Sequence, residues 1–186
     1  MPRIYLVGSH ATGKTTCVRY ISQRYHIPMV TEVARAILAE WEVSLDTLLV
    51  DVLKAGTFQQ EVLARQFKAE KLQESSFVSD RAFDSLAYAA EHTLDLRMLL
   101  TPTLKDYIEW VNSGIVFFIR PHLSLLKADG VRATSHLQWD SVVRIDGMIK
   151  FILEFYGTEY IQISTPNMQE RARTIQYVLD KEFKSR

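Results

Sequence analysis

The chain has 186 residues, 47% of them hydrophobic and 24% charged, and its 22 Lys and Arg balance 22 Asp and Glu. That length favours one α/β core over two ordinary domains, and the neutral balance argues against a broad electrostatic footprint on nucleic acid. Cys17 is the only cysteine, which excludes an internal disulfide and points to a reducing, cytoplasmic compartment. The most apolar internal run, Ile115 to Ile119, falls far short of the roughly 20 residues that span a bilayer, so no membrane association is expected.

The first element is Ile4–Val7, a short β-branched run that ends in a glycine. It runs directly into a glycine-bearing loop and so reads as a strand rather than a leader segment. Lys14–Tyr25 follows as a helix with Val18 and Ile21 on its inner face. Pro28–Thr31 is predicted as a second strand and Val33–Trp41 as a helix. Leu45–Glu74 reads as one long helix with Leu48, Val52, Phe58, Val62 and Phe67 at loosely helical spacing. Phe77–Ser79 is the third strand, and Ala82–Glu91 returns to helix.

Pro102 fits the first turn of a helix through Val111. Ile115–Ile119 is the strongest strand signal, announced by Asn112-Ser113-Gly114 and stopped by Pro121. From Arg120 to Gln138 the chain is polar and aperiodic. Trp139–Tyr156 then carries an apolar stripe of Trp139, Val142, Val143, Met148, Ile149, Ile152 and Tyr156. Tyr160–Ile163 is the fifth strand. Thr165 is expected to cap a last helix that begins at Pro166 and runs to about Phe183. Alternating strands and helices predict a mostly parallel sheet covered on both faces, in one domain over 1–186 with a lid near 121–138.

The loop after the first strand reads Gly8-Ser9-His10-Ala11-Thr12-Gly13-Lys14-Thr15 and meets G-x-x-x-x-G-K-[ST] at each specified position, between a strand and a helix. Gly8 and Gly13 let successive backbone N–H groups turn inward as an anion nest at a helix N-terminus. Lys14 then reaches the β- and γ-phosphates of ATP or GTP, Thr15 offers its hydroxyl to Mg²⁺, and Thr16 donates to the α-phosphate. His10 is expected to be a solvated loop residue and Cys17 a small core residue.

A phosphate loop specifies a ligand, not a reaction, so the residues just beyond the other strands decide. In open parallel sheets they face the site. Glu32 follows the second strand, Asp80 the third and Arg120 the fourth. Asp80 suits the acidic partner of Mg²⁺; an aspartate there also fills a helix N-cap, which does not exclude metal contact, so the Mg²⁺ role is favoured. Arg81 is placed to contact a phosphate or an acceptor. Glu32 reads either as the base for an attacking hydroxyl or as half of a surface ion pair with Arg35. Asp129-Gly130-Val131-Arg132 and Arg144 offer arginines to close over a transferring phosphoryl group, or else a solvated turn. Among Trp41, Phe58, Phe83, Tyr88 and Trp110 a base could find a stacking platform, although each individually suits the core.

Taken together, the phosphate loop, Thr31-Glu32-Val33-Ala34-Arg35, Ser79-Asp80-Arg81 and Asp129-Gly130-Val131-Arg132 resemble the ribosylnicotinamide-kinase-like family of P-loop ATPases. They are more distantly similar to deoxynucleoside and nucleoside-monophosphate kinases. The resemblance implies a five-stranded parallel sheet of order 2-3-1-4-5 flanked by helices, and ATP-dependent phosphorylation of a nucleoside-like hydroxyl or a nucleotide. It also implies an adenine clasp at Ser164-Thr165-Pro166-Asn167. Carried over by position, Lys14 and Thr15 hold phosphate and Mg²⁺, Glu32 or Asp80 serves as base or metal ligand, and Arg132 and Arg144 act as lid arginines. Residues 36–110 show no nicotinamide-binding signature, which leaves the acceptor unassigned.

The expected function is therefore a small-molecule kinase with a nucleoside- or nucleotide-like acceptor. Two alternatives stand beside it: a kinase acting on a nucleic-acid base or terminus, disfavoured by the zero net charge, and a partner-regulated ATPase. A GTPase is disfavoured because no Asn-Lys-x-Asp segment is present. Oligomeric state is not fixed by the sequence, and a homodimer stays open.

Overall fold

The computed structural model describes residues 2–31, 33–73, 76–93, 102–126 and 139–184. In chain order these form β1 (Arg3–Val7), α1 (Lys14–Tyr25), β2 (Met29–Val30), α2 (Val33–Glu40), α3 (Leu45–Val50) and α4 (Val52–Lys71). They continue as β3 (Phe77–Ser79), α5 (Asp84–Thr93), α6 (Pro102–Asn112), β4 (Ile115–Ile119), α7 (Trp139–Phe155), β5 (Ile161–Ile163) and α8 (Met168–Lys184). A single 3-10 turn at Leu123–Leu125 follows β4.

The five strands are parallel and ordered β2-β3-β1-β4-β5, as the resemblance implies. Register places Ile4 opposite Val78 on one side and Ile115 on the other. The period-two alternation of a strand then sorts side chains by face. Tyr5, Val7, Phe77, Val116 and Phe118 join a core with α5, α6 and α7. Ile4, Leu6, Val78, Phe117 and Ile119 join the opposite core with α1 and α8. A third, smaller cluster of Ile37, Leu48, Phe58 and Val62 ties α2, α3 and α4 together.

Several boundaries differ from expectation. The predicted helix over Leu45–Glu74 is broken at Asp51, whose carboxylate accepts the backbone N–H of Lys54 and starts a new helix. The last helix begins at Met168, not Pro166. Asn167 Oδ1 accepts from the N–H groups of Gln169 and Glu170, so asparagine rather than Thr165 caps it. Val143, predicted on the inner stripe of α7, is 45% exposed, and Ile145, Asp146 and Leu153 take the buried positions. Most of the lid, 127–138, lies outside the described residues.

The placement of α1 and α5 matters most for function. They follow neighbouring strands, β1 and β3, yet pack on opposite faces of the sheet. The chain therefore diverges beyond the carboxyl ends of β1 and β3, which leaves a crevice bordered by the loops leaving both strands.

Candidate active site

Residues 8–13 leave β1 as a tight loop. Gly8 has φ +153°, Ala11 +55° and Gly13 +81°. Gly8 is required sterically as well: a Cβ there would stand 2.4 Å from the Ile119 carbonyl oxygen on β4. Gly13, left-handed, is the residue from which α1 starts, so the first unpaired N–H groups of that helix face the loop. Thr12 Oγ1 donates to the Ser9 carbonyl at 3.0 Å and braces the loop internally.

Lys14 arches back over this loop, and its Nζ donates to the carbonyls of Gly8 (2.7 Å) and Ser9 (2.6 Å). Thr15 Oγ1 donates to Asp80 Oδ2 at 3.2 Å. The hydroxyl from α1 and the carboxylate beyond β3 are thus side by side. That pair of hard oxygen donors fits a small divalent cation that completes its shell with phosphate oxygens and water. Among the described residues no cluster of three or more His, Cys, Asp or Glu is placed to hold a metal by itself. The cradle of residues 8–15 likewise fits a phosphate chain.

Two carboxylates that the sequence reading did not single out complete the surroundings. Asp84, at the start of α5, is buried and accepts from the N–H of Gly8 (3.3 Å) and of Ala82 (3.1 Å). Burial pushes its carboxyl upward, while the charges of Lys14 and Arg81 pull it back. Asp146, on α7, is buried as well and forms a forked pair with Arg120, Nη2–Oδ2 2.6 Å and Nε–Oδ1 3.2 Å. Burial again pushes its carboxyl up, opposed first by Arg120 and also by Lys14. Asp84 escaped notice because an aspartate in the first turn of a helix reads as a cap, although its spacing four residues after Asp80 was available. Asp146 lies mid-helix and carries no such signal.

A third missed residue is Arg171 of α8. It is fully buried, with Nε donating to the Thr165 carbonyl (2.6 Å) and Nη1 to the Thr12 carbonyl of the phosphate loop. Beneath β1 and β3 lies a buried carboxylate, Glu70, which accepts from Tyr5 Oη (3.0 Å), Tyr107 Oη (2.8 Å) and Gln66 Nε2 (2.8 Å). The Gln66 amide also reaches Ser79 Oγ (2.9 Å), which donates to the Arg81 carbonyl (2.6 Å). The turn that carries Asp80 and Arg81 is thereby anchored to the core.

The other expected residues divide as follows. Ser9 is buried, Thr16 is exposed on α1, and Arg81 is half-buried beside Asp80. His10 is buried, not solvated: its ring lies against Tyr88 of α5, with Nδ1 3.5 Å from the phenol oxygen. Arg35 is exposed on α2, while Glu32 and Arg132 lie outside the described residues. Arg144 pairs through Nε with Glu91 of α5 at 2.6 Å, so its described contact is to α5 and not to the phosphate loop. Pro166 and Asn167 border the turn into α8, where Asn167 acts as the cap. Cys17 is buried in the core as expected, and burial pushes its thiol upward. Phe58 and Phe83 are core residues, Trp41 packs edge-on against Phe58, and Trp110 stacks under the Arg3 guanidinium. None of these four is a free stacking platform.

The sheet order, the loop conformation and the Lys14, Thr15 and Asp80 geometry define a P-loop nucleotide-binding α/β protein with the fold of small-molecule kinases. The chain belongs to the AAA domain family, whose model matches residues 3–171. A search of curated protein sequences finds no match. Among solved structures it is similar to a NadR protein in complex with NR (TM-score 0.67, 18% identity, 88% of this chain and 46% of that one). It is similar also to deoxyadenosine kinase from M. mycoides with dCMP and dCDP bound (0.68, 15%, 96% and 98%). A third is shikimate kinase from Acinetobacter baumannii in complex with shikimate (0.57, 15%, 97% and 94%). The chain spans about half the length of the NadR protein. Among the described residues no helix is long and apolar enough to cross a membrane.

Proposed function

We propose that this chain is a phosphotransferase that moves the γ-phosphoryl group of ATP to a hydroxyl or phosphate of a nucleoside, nucleotide or related small acceptor. The observation that carries this reading is the meeting of Thr15 Oγ1 with Asp80 Oδ2 beside a loop spanned by Lys14. Shikimate kinase and deoxyadenosine kinase among its structural neighbours support the same reading.

Thr15 and Asp80 would hold Mg²⁺, which neutralises charge on the β- and γ-phosphates when bound. The backbone of residues 8–13 binds the phosphate chain, and Lys14 turns from its loop carbonyls to the β,γ-bridge. Glu32 or Asp80 accepts the proton of the acceptor hydroxyl. The acceptor oxygen forms a bond to the γ-phosphorus as the bond to the bridging oxygen breaks, and ADP departs. Arg81, one residue past Asp80, steadies charge on the transferring group or a phosphate of the acceptor. Arg132 closes over the site from the lid. Arg35 takes part in acceptor binding, and Arg144 is the second arginine offered to the transferring group, from a helix where its described contact is with Glu91.

The test is transfer of label from γ-labelled ATP across nucleosides, ribosides, monophosphates and small hydroxy acids. One labelled class is the expected result. Nucleotide binding with no labelled acceptor overturns the small-acceptor reading. Label appearing only in an oligonucleotide, or phosphate release stimulated by a protein partner, would replace it with one of the two alternatives.

A further inference from the structure

Among the described residues, the buried guanidinium of Arg171 has no carboxylate partner. Its side chain is fully enclosed, and the titratable group that bears on it is the neighbouring Cys17 thiol. Nε is held by Thr165 O, Nη1 by Thr12 O, and Nη2 is buried with no partner among the described residues. A buried cation lacking a counter-ion is costly, so a fold that keeps one derives something from its position. A Cβ on Gly13 would lie 3.4 Å from Nη1 and 3.4 Å from Met168 Sδ, so the charge sits directly behind the loop where α1 begins.

The two carbonyls it grips belong to different parts of the chain. Across a trans peptide the C=O and N–H point in opposite directions. Holding Thr12 O from the core therefore turns the N–H of Gly13 outward, toward the mouth of the loop. Thr165 O belongs to the segment between β5 and α8, beyond the carboxyl edge of the sheet. On the β3 side of the loop, Thr15 and Asp80 take the transferable end of the triphosphate. With the transferable end at Thr15 and Asp80, as proposed above, the β4–β5 side, where Ser164–Asn167 lies, is the side available to the nucleoside end.

We propose that Arg171 is a positioning residue that couples recognition of the nucleobase, at the segment following β5, to the phosphate loop, while its charge backs the phosphates from inside the core. This rests on the nucleotide-binding reading above. It implies that the base and the phosphate chain are bound cooperatively, so that ATP exceeds inorganic triphosphate in affinity by more than the contacts of the base alone.

The experiment compares wild type, Arg171→Lys and Arg171→Met by calorimetric titration with Mg-ATP and with Mg-tripolyphosphate, alongside thermal unfolding. Lysine keeps the charge but lacks the planar fork that spans two carbonyls. Arg171→Lys should bind tripolyphosphate within about threefold of wild type yet lose about tenfold or more of the preference for ATP. Arg171→Met should also weaken tripolyphosphate by about tenfold or more. A merely structural role lowers the unfolding temperature and weakens both ligands by the same factor. An unchanged ATP-to-tripolyphosphate ratio in Arg171→Lys therefore overturns the coupling, and this variant decides if Arg171→Met does not fold. Wild type binding both ligands equally overturns the coupling alone, whereas wild type binding neither overturns the nucleotide reading with it.

Discussion

Replacing Glu70 with glutamine should change how stability depends on pH. Glu70 is fully buried and accepts three hydrogen bonds, from Tyr5, Tyr107 and Gln66. Those bonds favour the ionised form, but burial outweighs them and raises the carboxyl from 4.5 to about 7. The folded state therefore holds a proton that the unfolded chain has released between those two values. Its contribution is fully present below about pH 4.5 and is lost as pH rises through about 7. At about 1.4 kcal/mol per unit, a shift of that size is worth roughly 3 kcal/mol across the window. Glutamine is neutral throughout and close in shape to the protonated acid. It carries one further N–H to satisfy beside Tyr5, which costs about 1 kcal/mol. The variant should thus be slightly less stable than wild type at pH 5 and more stable at pH 8. For a chain of this size the difference in Tm should swing by about 4–10 °C between those conditions. Thermal unfolding of both proteins at half-unit steps from pH 5 to 8 reads the swing. A Tm difference that does not change with pH would refute the reasoning, because it would mean that Glu70 titrates alike in both states.

Three further outcomes follow from the site. Gly8→Ala puts a Cβ 2.4 Å from Ile119 O at φ +153°, and should lower stability by about 2 kcal/mol or more, read by denaturant unfolding. Lys14→Ala should reduce phosphoryl transfer by about 10²–10³-fold in steady-state assays, because it removes the ammonium that spans the phosphate loop. Glu32→Gln should cut kcat by about 10²–10⁴-fold while ATP binding survives, whereas Asp80→Asn should also weaken the Mg²⁺ dependence of ATP binding. If both keep near-normal turnover, the assignment of the acidic residues is wrong.

The phosphate loop was fully legible because its requirement is local: glycines at fixed spacing, then lysine and threonine, between a strand and a helix. Strands were legible for the same reason, since short β-branched runs such as Ile115–Ile119 stand apart from helical spacing. Their lateral order is a matter of long-range pairing, and it entered through the resemblance rather than through any strand's own residues. The break at Asp51 was hidden because Leu48 and Val52 keep helical spacing across it. Asp84, Asp146 and Arg171 lie on helices where charged residues ordinarily face water. Each is buried only because the tertiary arrangement brings the phosphate loop, or Arg120, against it. His10 followed the reverse path: a loop histidine is usually solvated, and Tyr88 covers this one.

The most direct measurement of the central claim is a single-turnover quench with γ-labelled ATP and the preferred acceptor, counting ADP, phosphorylated acceptor and inorganic phosphate in the same samples. A phosphotransferase yields ADP and phosphorylated acceptor in equal amounts at equal rates, with inorganic phosphate at background and both products lost in Lys14→Ala. ADP matched instead by inorganic phosphate, whatever acceptor is present, would contradict it.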